Sequence, residues 1–141
     1  MALSADTPRN YSWVGLENSL PVQASTTIYA GGALSMDSNG ETGPMAASET
    51  FVGFALKKCD NASGSAGDVD ARVLVEGEVV LTVTGVGDND DIGDVVYATD
   101  DNTFTLTASG AVAIGRVSQI VSLTAGTCRV RFQGLGARDH T

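Results

Sequence analysis

No stretch of this chain keeps the i, i+3, i+4 apolar spacing of a helix for as long as ten residues, whereas short β-branched runs cut by glycine recur along it. Thr103-Phe104-Thr105-Leu106-Thr107 is the cleanest example: strict alternation points Phe104 and Leu106 inward and the threonines outward. Seventeen glycines among 141 residues, about 12%, supply the turns. Roughly nine strands at 8–12-residue spacing predict an all-β fold, a compact small barrel or sandwich. Parallel βαβ units are excluded, because no helical segment separates one strand from the next.

The β pattern begins after Leu20. Thr26-Thr27-Ile28-Tyr29 is β-branched and aromatic, and Gly31-Gly32 breaks it. Ala33-Leu34-Ser35-Met36 leads into Asp37-Ser38-Asn39-Gly40, a hairpin turn signal. Phe51 to Leu56 is an apolar run suited to a strand buried on both faces, and Asp60 to Asp68 reads as a small-residue loop. Arg72 to Glu76 and Glu78 to Thr84 are strands, with Gly77 as the turn between them. Further strands follow over Asp94–Ala98, Ala113–Ser122 and Thr127–Phe132. In the last, Cys128, Val130 and Phe132 share one face and Arg129 and Arg131 the other. The organisation is an extended N-terminal arm over 1–20, a β domain over 21–134 and a flexible tail over 135–141. Three segment pairs resemble each other, Ile28–Ala30 with Val96–Ala98, Val52–Ala55 with Ile114–Val117, and Arg72–Gly77 with Arg129–Gly134. They fit either an internal duplication with shorter loops in the second half or the chance likeness of short strands that end in glycine.

The arm is polar and broken by Pro8, then carries Tyr11 and Trp13, two of the eight aromatic residues. Large amphipathic rings in such a segment serve either as an anchor on a partner or as packing onto the chain's own domain.

Charge narrows the partners. Eight Lys and Arg against seventeen Asp and Glu give −9, which opposes the phosphate backbone of a nucleic acid and an anionic membrane surface. The chain begins without a basic, apolar secretory signal and has no apolar run of bilayer length, so a soluble chain made in a cytoplasm is expected. Cys59 and Cys128 read as buried small apolar residues, with a bridge between them left open.

Catalytic chemistry is poorly supplied, and no enzyme is expected. The single histidine is His140, so nucleophilic catalysis by a histidine-activated Ser or Cys lacks its base. Asp88-Asn89-Asp90-Asp91-Ile92-Gly93-Asp94 resembles a calcium loop, but Ile92 stands at the fifth ligand position and Thr99 at the twelfth, so a solvated acidic turn is expected. Two cysteines and a terminal histidine make no zinc set. Gly85-Val86-Gly87 lacks the third glycine and the following helix of a phosphate loop. No catalytic, cofactor-binding or metal-binding residue is assigned, and no cofactor is expected.

Thr7-Pro8-Arg9, Ser19-Leu20-Pro21-Val22 and Thr27-Ile28-Tyr29-Ala30-Gly31-Gly32-Ala33-Leu34 resemble the start of the capsid cement, or head decoration, proteins of tailed bacteriophages. The similarity continues through Val52–Ala55, the Asp60–Asp68 loop, Ile92–Asp101, Ala113–Val117 and Val130–Phe132, covering residues 6–134. It rests on the order and spacing of β-and-turn segments, and Tyr11-Ser12-Trp13-Val14 and Glu17 depart from it. The resemblance implies a structural virion protein that binds the outer face of the capsid and stabilises the shell by cementing neighbouring major capsid subunits. It further implies a homotrimer and an arm lying across the shell. Pro8, Arg9, Tyr11, Trp13 and Val14 are the candidate capsid-binding residues. The alternative is a surface-displayed carbohydrate- or host-surface-binding β module.

Overall fold

A computed structural model describes residues 1–134; the tail read over 135–141 lies outside the described residues. Thirteen strands are formed among the described residues: β1 (Tyr11–Val14), β2 (Glu17–Pro21), β3 (Thr26–Ile28), β4 (Ala33–Met36), β5 (Thr42–Pro44), β6 (Thr50–Ala55), β7 (Cys59–Asn61), β8 (Asp70–Leu74), β9 (Glu76–Thr84), β10 (Val95–Asp100), β11 (Thr103–Thr105), β12 (Val112–Ser122) and β13 (Thr127–Gln133). The all-β reading holds, as a closed barrel with additional sheets.

Strands β9, β11, β10, β12 and β13 are linked in that order, and β13 returns to β9 to close the barrel. All these pairs are antiparallel except β11 with β9. β13 runs along one edge of β9. The opposite edge is shared by β1, at Gly77–Val79, and β11, at Val83–Thr84. A second sheet has the order β2-β8-β6-β4-β5, and β3 and β7 make a two-stranded ribbon.

Two cores result. Val79, Leu81, Val83, Val96, Val117, Val130 and Phe132 fill the barrel, inward because strand side chains alternate, and Ile114 joins them through a bulge, since Val96 pairs with Gly115 and Tyr97 with Ala113. Val22, Ile28, Leu34, Val52, Ala55, Val73 and Val75 fill the second. Strand β6 serves both, which is why its sequence is continuously apolar. Phe51 and Phe54 join the barrel core, Val52 and Ala55 the other.

Residues three apart cannot share a face in a regular strand. Here Leu34 pairs with Gly53 and the next residue, Ser35, with Phe51, so Val52 is the extra residue of a bulge. Gly53 has φ +141°, and a Cβ there would lie 2.2 Å from the Leu74 carbonyl oxygen. The bulge resets the parity, and the two rings meet Phe132 edge-on, with centroids 6.2 and 4.8 Å away.

Three expectations change. The segment read as an arm over 1–20 is paired into the body: β1 lies on β9 and β2 on β8. Its pairing partners are some sixty residues away in sequence, so no local period announces it. Gly77 is no turn. It lies inside β9, opposite both Val14 and Phe132, and a Cβ there would meet the Trp13 carbonyl oxygen at 2.8 Å. The loop expected from Asp60 begins inside β7.

Candidate functional site

The first nine residues lie across two turns. Asp6 and Thr7 clasp the backbone of Ala30: its amide donates to Asp6 Oδ1 (2.9 Å), and its carbonyl accepts from the Thr7 amide (2.8 Å). Gly31, at φ +86°, is the seat, since a Cβ there would lie 1.7 Å from the Thr7 carbonyl oxygen. Arg9 then donates from Nε to the Gly31 carbonyl (2.7 Å) and from Nη2 to Asn102 Oδ1 (2.8 Å), with its guanidinium 5.6 Å from the Phe104 ring centre. Asp101, 2% exposed, accepts the Leu3 amide at 2.8 Å. Burial pushes the Asp101 carboxyl above the usual range and pulls the Arg9 guanidinium down.

Beyond Arg9 the chain becomes β1. Tyr11 packs against the barrel core, and its hydroxyl is buried without a hydrogen-bond partner. Burial drives its pKa up to about 12. A bulge falls between Tyr11 and Trp13, which turns Trp13 outward. Trp13, Val14 and Leu16 are 41, 53 and 45% exposed. No strand other than β9 pairs with β1 among the described residues, so its outer edge is open.

Beside β1 lies the outer face of the barrel. Trp13, Glu78, Arg131 and Arg116 stand in register across β1, β9, β13 and β12. The Arg131 guanidinium lies 5.1 Å from the Trp13 ring centre and 3.6 Å from Glu78 Oε2. Ser12 and Ser118 donate to the two oxygens of Glu78 at 2.6 and 2.8 Å. The Ser12 bond, with smaller contributions from Ser118, Arg131 and Arg129, holds the Glu78 carboxyl below its usual range against burial. An open groove of about 490 Å³ adjoins this face, lined among others by Glu76, Ala113, Arg116, Arg131, Phe132 and Gln133.

Of the predicted arm residues, then, Arg9 and Tyr11 fasten the segment to its own body, while Trp13 and Val14 face outward with Pro8. The residues that hold them, Asp101, Gly31, Glu78 and Arg131, were not singled out as site residues. Alternation had placed Arg131 on an outer face, but nothing local pairs it with Trp13.

The acidic turn is a short 3-10 turn over Asn89–Asp91, where Asp91 Oδ2 accepts the Gly87 and Asp88 amides. No group of three or more His, Cys, Asp and Glu side chains is placed to hold a metal ion among the described residues. Both cysteines are free thiols: Cys128 is buried in the barrel core and Cys59 packs against the second core. No family model matches the chain, and no curated protein matches it.

Proposed function

We propose that this chain is a structural, non-enzymatic virion protein that docks on the outer surface of a tailed-phage capsid and cements neighbouring major capsid subunits. The observation that carries the reading is β1: a short strand with no charged residue, an open edge, and exposed Trp13 and Val14. Natural edges are blunted by charge, proline, a cover, a bulge or shortness; the outer edge of β1 has no charge, proline or cover among the described residues, and only its four-residue length and the bulge between Tyr11 and Trp13 limit it. An extended capsid segment paired to it would gain main-chain hydrogen bonds with little demand on sequence. Trp13 and Val14 would supply the apolar anchor, while Arg9 and Tyr11 hold the strand in place. The segmental likeness to capsid cement proteins points the same way. It adds a homotrimeric assembly, whose three strands multiply a weak contact into firm attachment. A net charge of −9 suits a position outside the shell, away from packaged DNA, after synthesis in the bacterial cytoplasm.

The test is co-sedimentation of purified protein with undecorated shells before and after expansion. Saturable binding that Val14→Asp and Trp13→Ala each weaken is expected. Absence of binding to both shell forms overturns the proposal. A carbohydrate-binding reading has less support from the tyrosines, since Tyr29 and Tyr97 are half-buried.

A further inference from the structure

The outer face of the β12–β13 hairpin carries positive charge that the fold matches only in part. Arg116 and Arg131 stand directly opposite each other in the β12–β13 register, and both are exposed. Residues so paired hold their Cβ atoms about 5 Å apart, and like charges placed there oppose each other. Arg129 alternates onto the same face, which gathers three of the eight basic residues of a chain with net charge −9. A negatively charged group approaching this acidic protein is therefore drawn here.

Glu78, the carboxylate paired with Arg131, is already engaged. It accepts the Ser12 and Ser118 hydroxyls and lies 3.6 Å from Arg131 Nη2. Arg116 donates from Nη1 to the Gly93 carbonyl at 2.8 Å, and no carboxylate among the described residues lies within ion-pair distance of it. The groove of about 490 Å³ opens beside the two arginines, with Val95 and Ala113 in its apolar lining. Glu76 borders the groove as well, opposite Gln133. A ligand with one carboxylate and apolar neighbours thus suits it better than a polyanion.

We infer that Arg116, Arg131 and this groove form a docking site for an acidic peptide segment of a protein partner. One Asp or Glu carboxylate of the segment bridges the two guanidinium groups, and the apolar residues beside it cover Val95 and Ala113. The bridging carboxylate accepts charge-assisted hydrogen bonds from both arginines and removes the repulsion between them. Arg131 also lies 5.1 Å from the Trp13 ring centre, so the site is continuous with the exposed ring on β1. The site is independent of the capsid reading: its test needs no shell, and its failure leaves that reading standing.

The isotope-labelled full chain is titrated into the millimolar range with the blocked peptide Gly-Val-Asp-Val-Gly, its Gly-Val-Asn-Val-Gly counterpart and inorganic phosphate. NMR follows the side-chain Nε–H signals of Arg116 and Arg131. Saturable shifts of both signals are expected with the Asp peptide, with binding at least about tenfold weaker for the Asn peptide and for phosphate. Arg116→Gln should weaken the Asp peptide by at least about tenfold. Ala113→Glu, which fixes a carboxylate in the groove, should do the same, and backbone amide spectra report whether each variant keeps the fold. Absence of saturable shifts overturns the proposal, as does an Asn peptide that binds equally well. Binding that both folded variants leave unchanged overturns it too. Phosphate that binds as tightly as the Asp peptide shows an adventitious ion only and has the same consequence.

Discussion

The guanidinium of Arg131 lies 5.1 Å from the centre of the Trp13 ring and joins β13 to β1 across the β9 strand between them. A cation over an indole at a partly exposed site contributes about 0.5–1 kcal/mol, and the exposed pair with Glu78 adds little. Arg131→Ala should therefore lower global stability by no more than about 1 kcal/mol in urea denaturation. Trp13 is the sole tryptophan, so its fluorescence reports on β1 alone. Its emission should shift toward the solvent-exposed value before the circular dichroism of the barrel changes.

The bulge at Gly53 makes a second, much larger effect. Alanine there meets both an unfavourable φ of +141° and a carbonyl 2.2 Å from its Cβ. Relieving that contact moves β6 against β8 and disturbs the seating of Phe51 and Phe54 between the two cores. Gly53→Ala should cost about as much as Phe54→Ala, for which about 3–5 kcal/mol is expected from loss of a buried ring. Parallel thermal melts of the two variants check this. A Gly53→Ala protein as stable as the unsubstituted chain would sink the bulge argument.

Glu78 gives the chain a pH dependence whose sign is fixed. Its folded pKa lies below the unfolded value of 4.5, chiefly through the Ser12 hydrogen bond. Its contribution to stability is thus complete above that unfolded value and is lost as the pH falls through the folded pKa. Asp101 has the opposite sign, because burial raises its folded pKa; its share is present at low pH and is lost as the pH rises through that value. In a denaturation series across the acid range, Glu78→Gln should flatten the loss of stability on acidification, and Asp101→Asn should steepen it.

The two thiols should separate cleanly. Burial raises the pKa of both, that of Cys128 to about 11. Cys128 is fully enclosed in the barrel, whereas Cys59 is partly exposed. A thiol-reactive dye at neutral pH should label Cys59 in the native protein and Cys128 only as fast as the barrel unfolds. Equal rates at both positions would show that the barrel opens locally around β13.

Most strands were legible because their signals are local. Thr103–Thr107 alternates, Asn39-Gly40 turns a hairpin, and Cys128, Val130 and Phe132 share the buried face that their spacing required. Two local readings failed for one reason. Gly77 reads locally as a turn, and residues 1–20 read as an extended arm. In both cases the deciding neighbour is distant: Trp13 leaves no room at Gly77, and β9 and β8 supply the edges that make β1 and β2 strands.

The sequence by itself determined an all-β chain, its inward faces, its acidic charge and the apolar character of Tyr11–Val14, because side-chain type and a period of two act over a few residues. Only the tertiary structure decided that the sheet closes between β9 and β13. Only it decided that Arg9 and Tyr11 face the body while Trp13 and Val14 face outward, and that Gly31 and Asp101 receive the first nine residues. Those outcomes depend on which distant backbone edges and buried polar groups find each other. Hydrogen-bond satisfaction across the whole fold settles that, and no short window of sequence contains it.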